Sequence, residues 1–445
     1  MEKEKTKQGK SAFIKGALWI ALGGFIAKLI GALYRIPLTN LIGGHGIGLY
    51  QMVYPTYCIL LTVSATGIPS SIAKLTAERL AEGKSARPLF ATAMRLFLSI
   101  GLTGSLLMAL SAPLITRAQG SREIIGGYYA LAPAVFLTSA ISVFRGYFQG
   151  KNNMRPTALS EITEQAVKVG FGLLFAYLYR GNIQKAVIFL LLAVSISELS
   201  ALLLMCIIYT RGRKNEGLVG KDKFPVKRVL KLSIPVTFSS MLLPLSGFLD
   251  SVLAVRLLRR YATDAVTLFG LFSGGAVTVI NLPVSICYGI AVASVPAIAG
   301  AKEDKGRKLG FSLLLTVLIA LPSAIGLFFF ARPLVKIVYR NLSKNELCLL
   351  TRLVKTFSIS ALTLSLVQTL ASCLTAQGKP KYAAFSMLAG MSVKTVIYCF
   401  LLRNPKISIF GLAHATNIGY LVAFSLDLLY NLIVINRARR IPQPK

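Results

Sequence analysis

Ionisable side chains inside apolar segments are the residues of this chain that could do chemistry. Glu161, Glu164 and Lys168 stand in "RPTALSEITEQAVKVGFGLL", at spacings of three and four that place them on one face of a helix. Lys28 and Arg35 stand in "FIAKLIGALYRIPL", seven residues and two helical turns apart. Cationic side chains at such positions can bind phosphate or pyrophosphate. Carboxylates there can balance that charge or bind protons and cations.

Further charged residues in apolar segments occupy corresponding places in the two halves of the chain. Lys394 lies 226 residues after Lys168, and Asp427 lies 229 residues after Glu198. Each half therefore has a lysine and a carboxylate at matching positions. We interpret Glu198, Lys394 and Asp427 as members of ion pairs that hold helices together within each half. Asp250, in "LPLSGFLDSVLAVRLL", lies on the first span of the second half, as Lys28 and Arg35 lie on the first span of the first half.

The composition places these charges in a membrane protein. The chain has 445 residues, of which 54% are hydrophobic and 15% are charged, whereas soluble proteins carry about a quarter charged residues. Its mean hydropathy is +0.65, and apolar stretches of roughly 20 residues, enough to cross a bilayer as a helix, recur along it. The net charge of +34 indicates contact with anionic membrane lipid and not with nucleic acid, because most lysines and arginines lie in short loops.

The pattern predicts an all-α polytopic membrane protein with about twelve transmembrane helices. The predicted spans are residues 14–40, 47–72, 88–113, 124–148, 157–179, 184–209, 229–257, 265–299, 309–331, 346–375, 381–402 and 408–434. With the N-terminus inside, about thirty lysines and arginines fall on inward segments and about thirteen on outward ones, so the positive-inside rule predicts that both termini are cytoplasmic.

An internal repeat divides the spans into two sets of six. "FRGYFQGKNNMRP" at the end of the fourth span resembles "CLTAQGKPK" at the end of the tenth, and all matched segments are offset by 220 to 228 residues. Two six-helix lobes are expected, as in transporters built from parallel repeats. We expect an N-terminal lobe over residues 1–210, a cytoplasmic linker over 211–228 and a C-terminal lobe over 229–445. The "GGHGIG" stretch is expected to form a tight outer loop.

Motifs for catalysis and metal binding are missing from the sequence. No HExxH, nucleophile elbow or paired-aspartate motif occurs, and no loop is large enough for a catalytic domain. The six cysteines are scattered without CxxC spacing, and the two histidines, His45 and His414, stand alone. The chain is therefore predicted not to be an enzyme and to have neither a metal site nor a cofactor.

Two blocks carry a resemblance to a known family: "GLYQMVYPTYCILLTVSATGIPSSIAKLTAE" and "FRGYFQGKNNMRPTALSEITEQ". They resemble the polysaccharide-transporter branch of the multidrug/oligosaccharidyl-lipid/polysaccharide (MOP) flippase superfamily, with its stage V sporulation protein B-like members and their MurJ-like kin. The resemblance implies a V-shaped, two-lobed MATE/MurJ-like carrier that works by alternating access in a bacterial cytoplasmic membrane. It also implies a substrate, a lipid-linked oligosaccharide or peptidoglycan precursor of undecaprenyl-pyrophosphate type, moved to the outer leaflet for cell-wall, spore-cortex or polysaccharide biosynthesis.

The resemblance also suggests roles for the charges. In MurJ-like proteins basic residues near the start of the first span line the cavity, and "KLIGALYR" supplies Lys28 and Arg35 here. We therefore expect Lys28, Arg35 and Lys168 to bind the pyrophosphate. The carboxylates expected to balance this charge, or to couple transport to Na+, protons or the membrane potential, are Glu161, Glu164 and Asp250.

The sequence is also compatible with three other functions. A cation-coupled multidrug antiporter of the same superfamily would need a carboxylate-lined, aromatic-rich cavity, whereas the candidate spans are basic. A membrane glycan polymerase would need carboxylates or histidines in sizeable outer loops, and a non-transporting assembly scaffold is a further alternative. The expected partners are the lipid-linked glycan and membrane lipids, with cell-wall synthesis enzymes as candidates.

Overall fold

The computed structural model describes residues 2–63, 68–213, 225–299 and 305–440, but not the side chains up to residue 29 or those of some residues next to the gaps. Regular structure in these ranges is helical and includes no strand, which confirms the all-α class. The helices of the first part are α1 (Glu2–Leu61), α2 (Ile68–Ala81), α3 (Arg87–Gln119), α4 (Ile125–Gly150), α5 (Arg155–Leu178), α6 (Ile183–Arg213) and α7 (Val226–Leu249). Those of the second are α8 (Val255–Leu258), α9 (Ala265–Gly270), α10 (Val277–Ala299), α11 (Lys305–Phe329), α12 (Ala331–Val338), α13 (Lys344–Phe357), α14 (Ile359–Ala376), α15 (Pro380–Leu401) and α16 (Phe410–Arg440).

Nine helical segments in the described ranges are long and apolar enough to cross a bilayer, and each overlaps a predicted span. Large apolar side chains lie on their outer surfaces: Leu110 and Leu114 on α3 are 77% and 70% exposed, and Phe329 on α11 is 69% exposed. Such surfaces are unfavourable in water and suit the hydrocarbon of a membrane. The protein is therefore a multi-pass membrane protein. The helix α5, which carries the four charged residues Arg155, Glu161, Glu164 and Lys168, is not one of the nine.

The helix α1 turns at a single residue. Gly43 has φ 69° and ψ −177°, while helical geometry continues on both sides of it. A positive φ favours glycine, which has no Cβ to clash with the backbone. The tight outer loop predicted for "GGHGIG" is therefore absent, and a kink takes its place.

Contacts within the chain define two compact units. The first comprises Met1–Tyr34 with Met52–Phe248, and the second comprises Arg35–Gln51 with Leu249–Lys445. In the first unit α4 packs against α2, α3 and α6, and α5 packs against α6. In the second unit α14 packs against α10, α11 and α16, and α15 packs along α16.

Two glycines let α4 approach α2 closely in the first unit. A Cβ atom on Gly146 would lie 2.8 Å from the carbonyl oxygen of Pro69, and one on Gly150 would lie 2.6 Å from that of Ala73. Their spacing of four places both glycines on one helical face, as in the small-residue contacts of membrane helices. The two blocks that carry the family resemblance therefore contribute the residues that hold α2 against α4.

Candidate functional site

Arg145 is at the centre of a polar network in the first unit. Its Nη2 donates to Oε2 of Glu164 at 3.0 Å, and its Nε donates to Oγ of Ser160 at 3.0 Å. The amide of Gln165 donates to the other oxygen of Glu164 at 3.0 Å. The Arg145 and Glu164 side chains are only 14% and 17% exposed. Both carboxylate oxygens of Glu164 are thus held by donors from α4 and α5, which fixes the charge-assisted pair in one geometry.

Glu198 on α6 is a second buried carboxyl group of this unit. It is 3% exposed. The hydroxyl of Tyr57 donates to its Oε1 at 3.1 Å, and the same hydroxyl lies 3.4 Å from Oγ1 of Thr138. Among the described residues, Oε2 has no hydrogen-bond partner and no salt bridge includes Glu198.

Glu161 and Lys168, which share α5 with Glu164, lie within electrostatic range of these groups. The charge of Glu161 acts on Arg145, and the charge of Lys168 acts on Glu198. Both side chains are half-buried. The three charges predicted to share a face of α5 thus lie in one electrostatic network with Arg145 of α4 and Glu198 of α6.

The cations predicted to bind substrate are distributed over the chain. Arg35 belongs to the second unit, is half-buried, and places its charge near the hydroxyl of Tyr339. Lys168 belongs to the first unit, so no single unit contains both residues. The side chain of Lys28 lies outside the described residues.

Asp250 and Lys394 form a salt bridge within the second unit. The Lys394 ammonium donates to Oδ2 of Asp250, and the two side chains are 10% (Lys394) and 12% (Asp250) exposed. Asp250 begins a π-helical segment, Asp250–Ala254. Segments of this kind are frequent at functional sites. The hydroxyl of Tyr398, one turn after Lys394, lies near the Asp250 carboxylate. The buried Oδ1 of Asp250 has no hydrogen-bond partner among the described residues.

Asp427, the repeat counterpart of Glu198, is fully buried on α16. Neither of its carboxylate oxygens has a hydrogen-bond partner in the part of the chain that the structure describes. Ser386 is close to it, but the Ser386 hydroxyl donates to the carbonyl oxygen of Tyr382 at 3.0 Å. The salt bridge of Lys394 is to Asp250, and none in the described ranges includes Asp427. The repeat thus gives each unit a lysine and a carboxylate at matching sequence positions. The contacts of Glu198 and Asp427 nevertheless differ.

Sequence patterns did not single out Arg145, Tyr57 or Tyr398. The signal for Arg145 was its place between the apolar runs "AISVF" and "GYF", where an arginine on a membrane helix needs a partner. No comparable signal marks the two tyrosines, because the chain contains 17 of them in similar apolar surroundings.

The fold and its buried charges define an all-helical, multi-pass membrane protein built from two compact units. The chain belongs to the polysaccharide biosynthesis protein family, whose pattern matches residues 13–302. It is 28% identical over 432 residues to stage V sporulation protein B of Bacillus subtilis (strain 168), covering 92% of this chain and 82% of that protein. It is 21% identical over 458 residues to the lipid II flippase MurJ of the same organism, covering 96% and 83%.

Solved structures share the fold. An inward-facing MATE family multidrug transporter of the MOP superfamily superposes with a TM-score of 0.75 at 13% identity, over 93% of this chain and 96% of that one. The lipid II flippase MurJ in an inward closed conformation superposes with a TM-score of 0.73 at 14% identity, over 95% and 90%. The family match confirms the polysaccharide family that the sequence resembles, and the solved structures confirm the expected MATE/MurJ-like fold.

Proposed function

We propose that this protein is a flippase that moves a lipid-linked oligosaccharide or peptidoglycan precursor of undecaprenyl-pyrophosphate type from the inner to the outer leaflet. The observation that carries the proposal is similarity along nearly the whole chain to a protein named a lipid II flippase, covering 96% of this chain. The family description, polysaccharide biosynthesis, agrees with a glycan substrate. In this proposal the protein is a carrier and not an enzyme, and serves cell-wall, spore-cortex or polysaccharide synthesis.

The anionic headgroup explains why such a carrier needs buried cations. A pyrophosphate cannot cross the hydrocarbon of a bilayer unaided, because moving charge into a low-dielectric medium is very costly. Lys28, Arg35 and Lys168 would bind the pyrophosphate at successive stages of alternating access, while the lipid tail stays in the membrane. Arg35 belongs to the second unit. Its guanidinium can make two parallel hydrogen bonds to a phosphate group.

The carboxylates would couple the movement to an energy source. Glu164 is paired with Arg145, and Asp250 is paired with Lys394, while Glu161 acts electrostatically on Arg145. Protonation or cation binding at any of them would release its partner and change the contacts of its helix. Na+, protons and the membrane potential are the candidate drivers.

The proposal is tested by reconstituting the full chain in liposomes with a labelled lipid-linked glycan. We expect movement of the label to the opposite leaflet, and we expect Lys28→Ala and Arg35→Ala to abolish it and to abolish rescue of a flippase-deficient strain, while membrane expression persists. Arg122→Ala, which removes an exposed arginine, serves as the matched control and should retain activity. Normal growth and flipping with Arg35→Ala would refute the assigned role of that residue.

A multidrug antiporter is the second candidate, favoured by the TM-score of 0.75 with the MATE transporter. The same liposomes separate the two functions when a fluorescent organic cation replaces the lipid. Gradient-driven uptake of the cation without flipping of the labelled lipid would establish the antiporter and overturn the flippase.

A further inference from the structure

Glu198 is a buried carboxyl group of the first unit that has no salt-bridge partner among the described residues. It is 3% exposed, and one oxygen accepts a hydrogen bond from Tyr57 while the other has no hydrogen-bond partner in the described part of the chain. Arg145 is engaged by Glu164 and Ser160 instead. An ionised carboxylate with a single hydrogen bond in such surroundings is strongly disfavoured. A neutral carboxylic acid has no such penalty.

The hydroxyl groups beside Glu198 can serve both of its protonation states. When the carboxylate is ionised, Tyr57 donates to Oε1 across 3.1 Å. When it is protonated, the carboxyl group can donate across the same distance to the Tyr57 oxygen, and the Tyr57 hydrogen can turn to Thr138, 3.4 Å away. Thr138 can accept that hydrogen, since its own hydroxyl donates to the carbonyl oxygen of Ala134 at 2.6 Å. The chain of hydroxyl groups therefore accommodates the proton without moving a heavy atom.

The charges that face Glu198 come from two neighbouring helices and have both signs. Tyr57 faces it from α1, Arg145 from α4, and Glu164 and Lys168 from α5. The charge of Glu161 acts on Arg145. In the described part of this network three glutamates share two cations, and the guanidinium of Arg145 pairs with Glu164, so Glu198 has no salt-bridge partner among the described residues.

We propose that Glu198 is a proton-binding site, occupied at neutral pH, and that loss of its proton makes the Glu198 carboxylate compete with Glu164 for Arg145. The bound proton exchanges with the aqueous phase. A role of this proton in driving flipping rests on the proposed function. The presence of the proton on Glu198 rests on the geometry alone. It differs from a structural ion pair, in which Glu198 would be charged at neutral pH.

Infrared difference spectroscopy of the full chain in lipid nanodiscs tests the site directly. At neutral pH we expect the absorption of a protonated carboxyl group that disappears on alkaline titration. It should be lost in Glu198→Gln, be shifted in frequency in Tyr57→Phe, and be unchanged in Glu123→Gln, which removes an exposed carboxyl group. Because Asp427 is also buried, the assignment uses the difference between wild type and Glu198→Gln. An identical spectrum for that pair would overturn the proposal.

Thermal stability gives a second and independent test. Glutamine resembles a protonated glutamate in shape and charge, so Glu198→Gln should unfold at the wild-type temperature in acid, where an exposed glutamate is also protonated. As the pH rises from there, Glu198→Gln should unfold at an increasingly higher temperature than wild type, because folding of the wild type must then return a proton to Glu198. A clear loss of stability at neutral pH would show that the charged carboxylate is needed, and would overturn the proposal. Neither measurement requires transport. Failure of the flipping assay would therefore refute the proposed function and leave the proton site standing, whereas failure of these tests would refute the proton site alone.

Discussion

Buried charges in this protein differ in what lies beside them. Asp250 has a lysine as its salt-bridge partner, Glu164 has an arginine, and Asp427 has neither in the described ranges. Moving a charge from water into a low-dielectric interior is costly, and a counter-charge offsets the cost only when both partners stay in place. The two paired carboxylates should therefore be sensitive to loss of their cations.

The Asp250–Lys394 pair gives the first prediction at this scale. Lys394→Ala should lower the free energy of unfolding by about 3–5 kcal/mol, because it leaves the Asp250 carboxylate buried without its partner. Denaturant unfolding in detergent micelles measures the loss. The control is Lys381→Ala, which removes an exposed lysine from the same helix and should change stability little. The double variant Asp250→Asn/Lys394→Met removes both charges and should recover most of the lost stability. An unfolding midpoint equal to that of the wild type for Lys394→Ala would contradict the expectation.

The Arg145 network gives the second prediction. Arg145→Lys keeps the charge, but one ammonium group cannot reproduce the divergent contacts of the guanidinium with Ser160 and Glu164. We expect a loss of about 1–3 kcal/mol in the free energy of unfolding, as for a buried polar group left without a partner. Arg117→Lys, at an exposed position near the end of α3, is the matched control. Equal stability of the two variants would show that charge alone matters at Arg145.

At the scale of helices, the close approach of α2 and α4 depends on glycine. Gly150→Ala would place a Cβ atom 2.6 Å from the Ala73 carbonyl oxygen and 2.4 Å from Cβ of Thr76. Since backbone cannot yield as a flexible side chain does, we expect the free energy of unfolding to fall by about 1–3 kcal/mol. Gly170→Ala on α5 meets no atom within 4 Å and should be neutral or stabilising by up to about 1 kcal/mol. The two variants are compared by thermal unfolding. Similar midpoints for both would rule out the close contact between α2 and α4 at Gly150.

Helix positions followed from the sequence more closely than helix irregularities did. The fifth span was predicted at residues 157–179 and α5 covers Arg155–Leu178, because Pro156 marks a first helical turn and the apolar run sets the length. The kink at Gly43 and the π-helical segment Asp250–Ala254 were not predicted. Both are local backbone conformations that depend on packing. The pattern of apolar residues in the sequence is compatible with either a regular helix or these irregularities.

For the candidate site, residue types could be predicted but partners could not. The repeat correctly marked Lys394 and Asp427 as charges within apolar helices, yet the salt bridge of Lys394 is to Asp250, on a different helix. Which carboxylate meets a lysine depends on the rotation of each helix about its axis. A slip of one residue turns a side chain by about 100°, which follows from 3.6 residues per turn, and a sequence pattern does not resolve a turn of that size.

At the scale of the whole molecule, orientation in the membrane depends on how the basic residues are distributed between the connections on its two sides. Lys151 and Arg155 flank the connection between α4 and α5, and Arg180 and Lys185 flank the next one, so these two connections are equally basic. The bias arises elsewhere, above all in the eight basic residues from Arg211 to Lys231. The positive-inside rule then predicts that both termini and the α4–α5 connection are cytoplasmic, with the α5–α6 connection outside.

Cysteine labelling in intact cells checks this orientation. The six native cysteines are free and can be replaced by alanine, after which Asn153→Cys and Gly181→Cys each introduce one thiol at an exposed position. A membrane-impermeant maleimide should label the Gly181→Cys variant in intact cells and the Asn153→Cys variant only after the membrane is opened. The two variants are matched controls, because the basic residues around them are similar in number and the sites lie at opposite ends of α5. Reversed labelling would place both termini outside, and would then reverse the direction of transport proposed for the lipid-linked glycan.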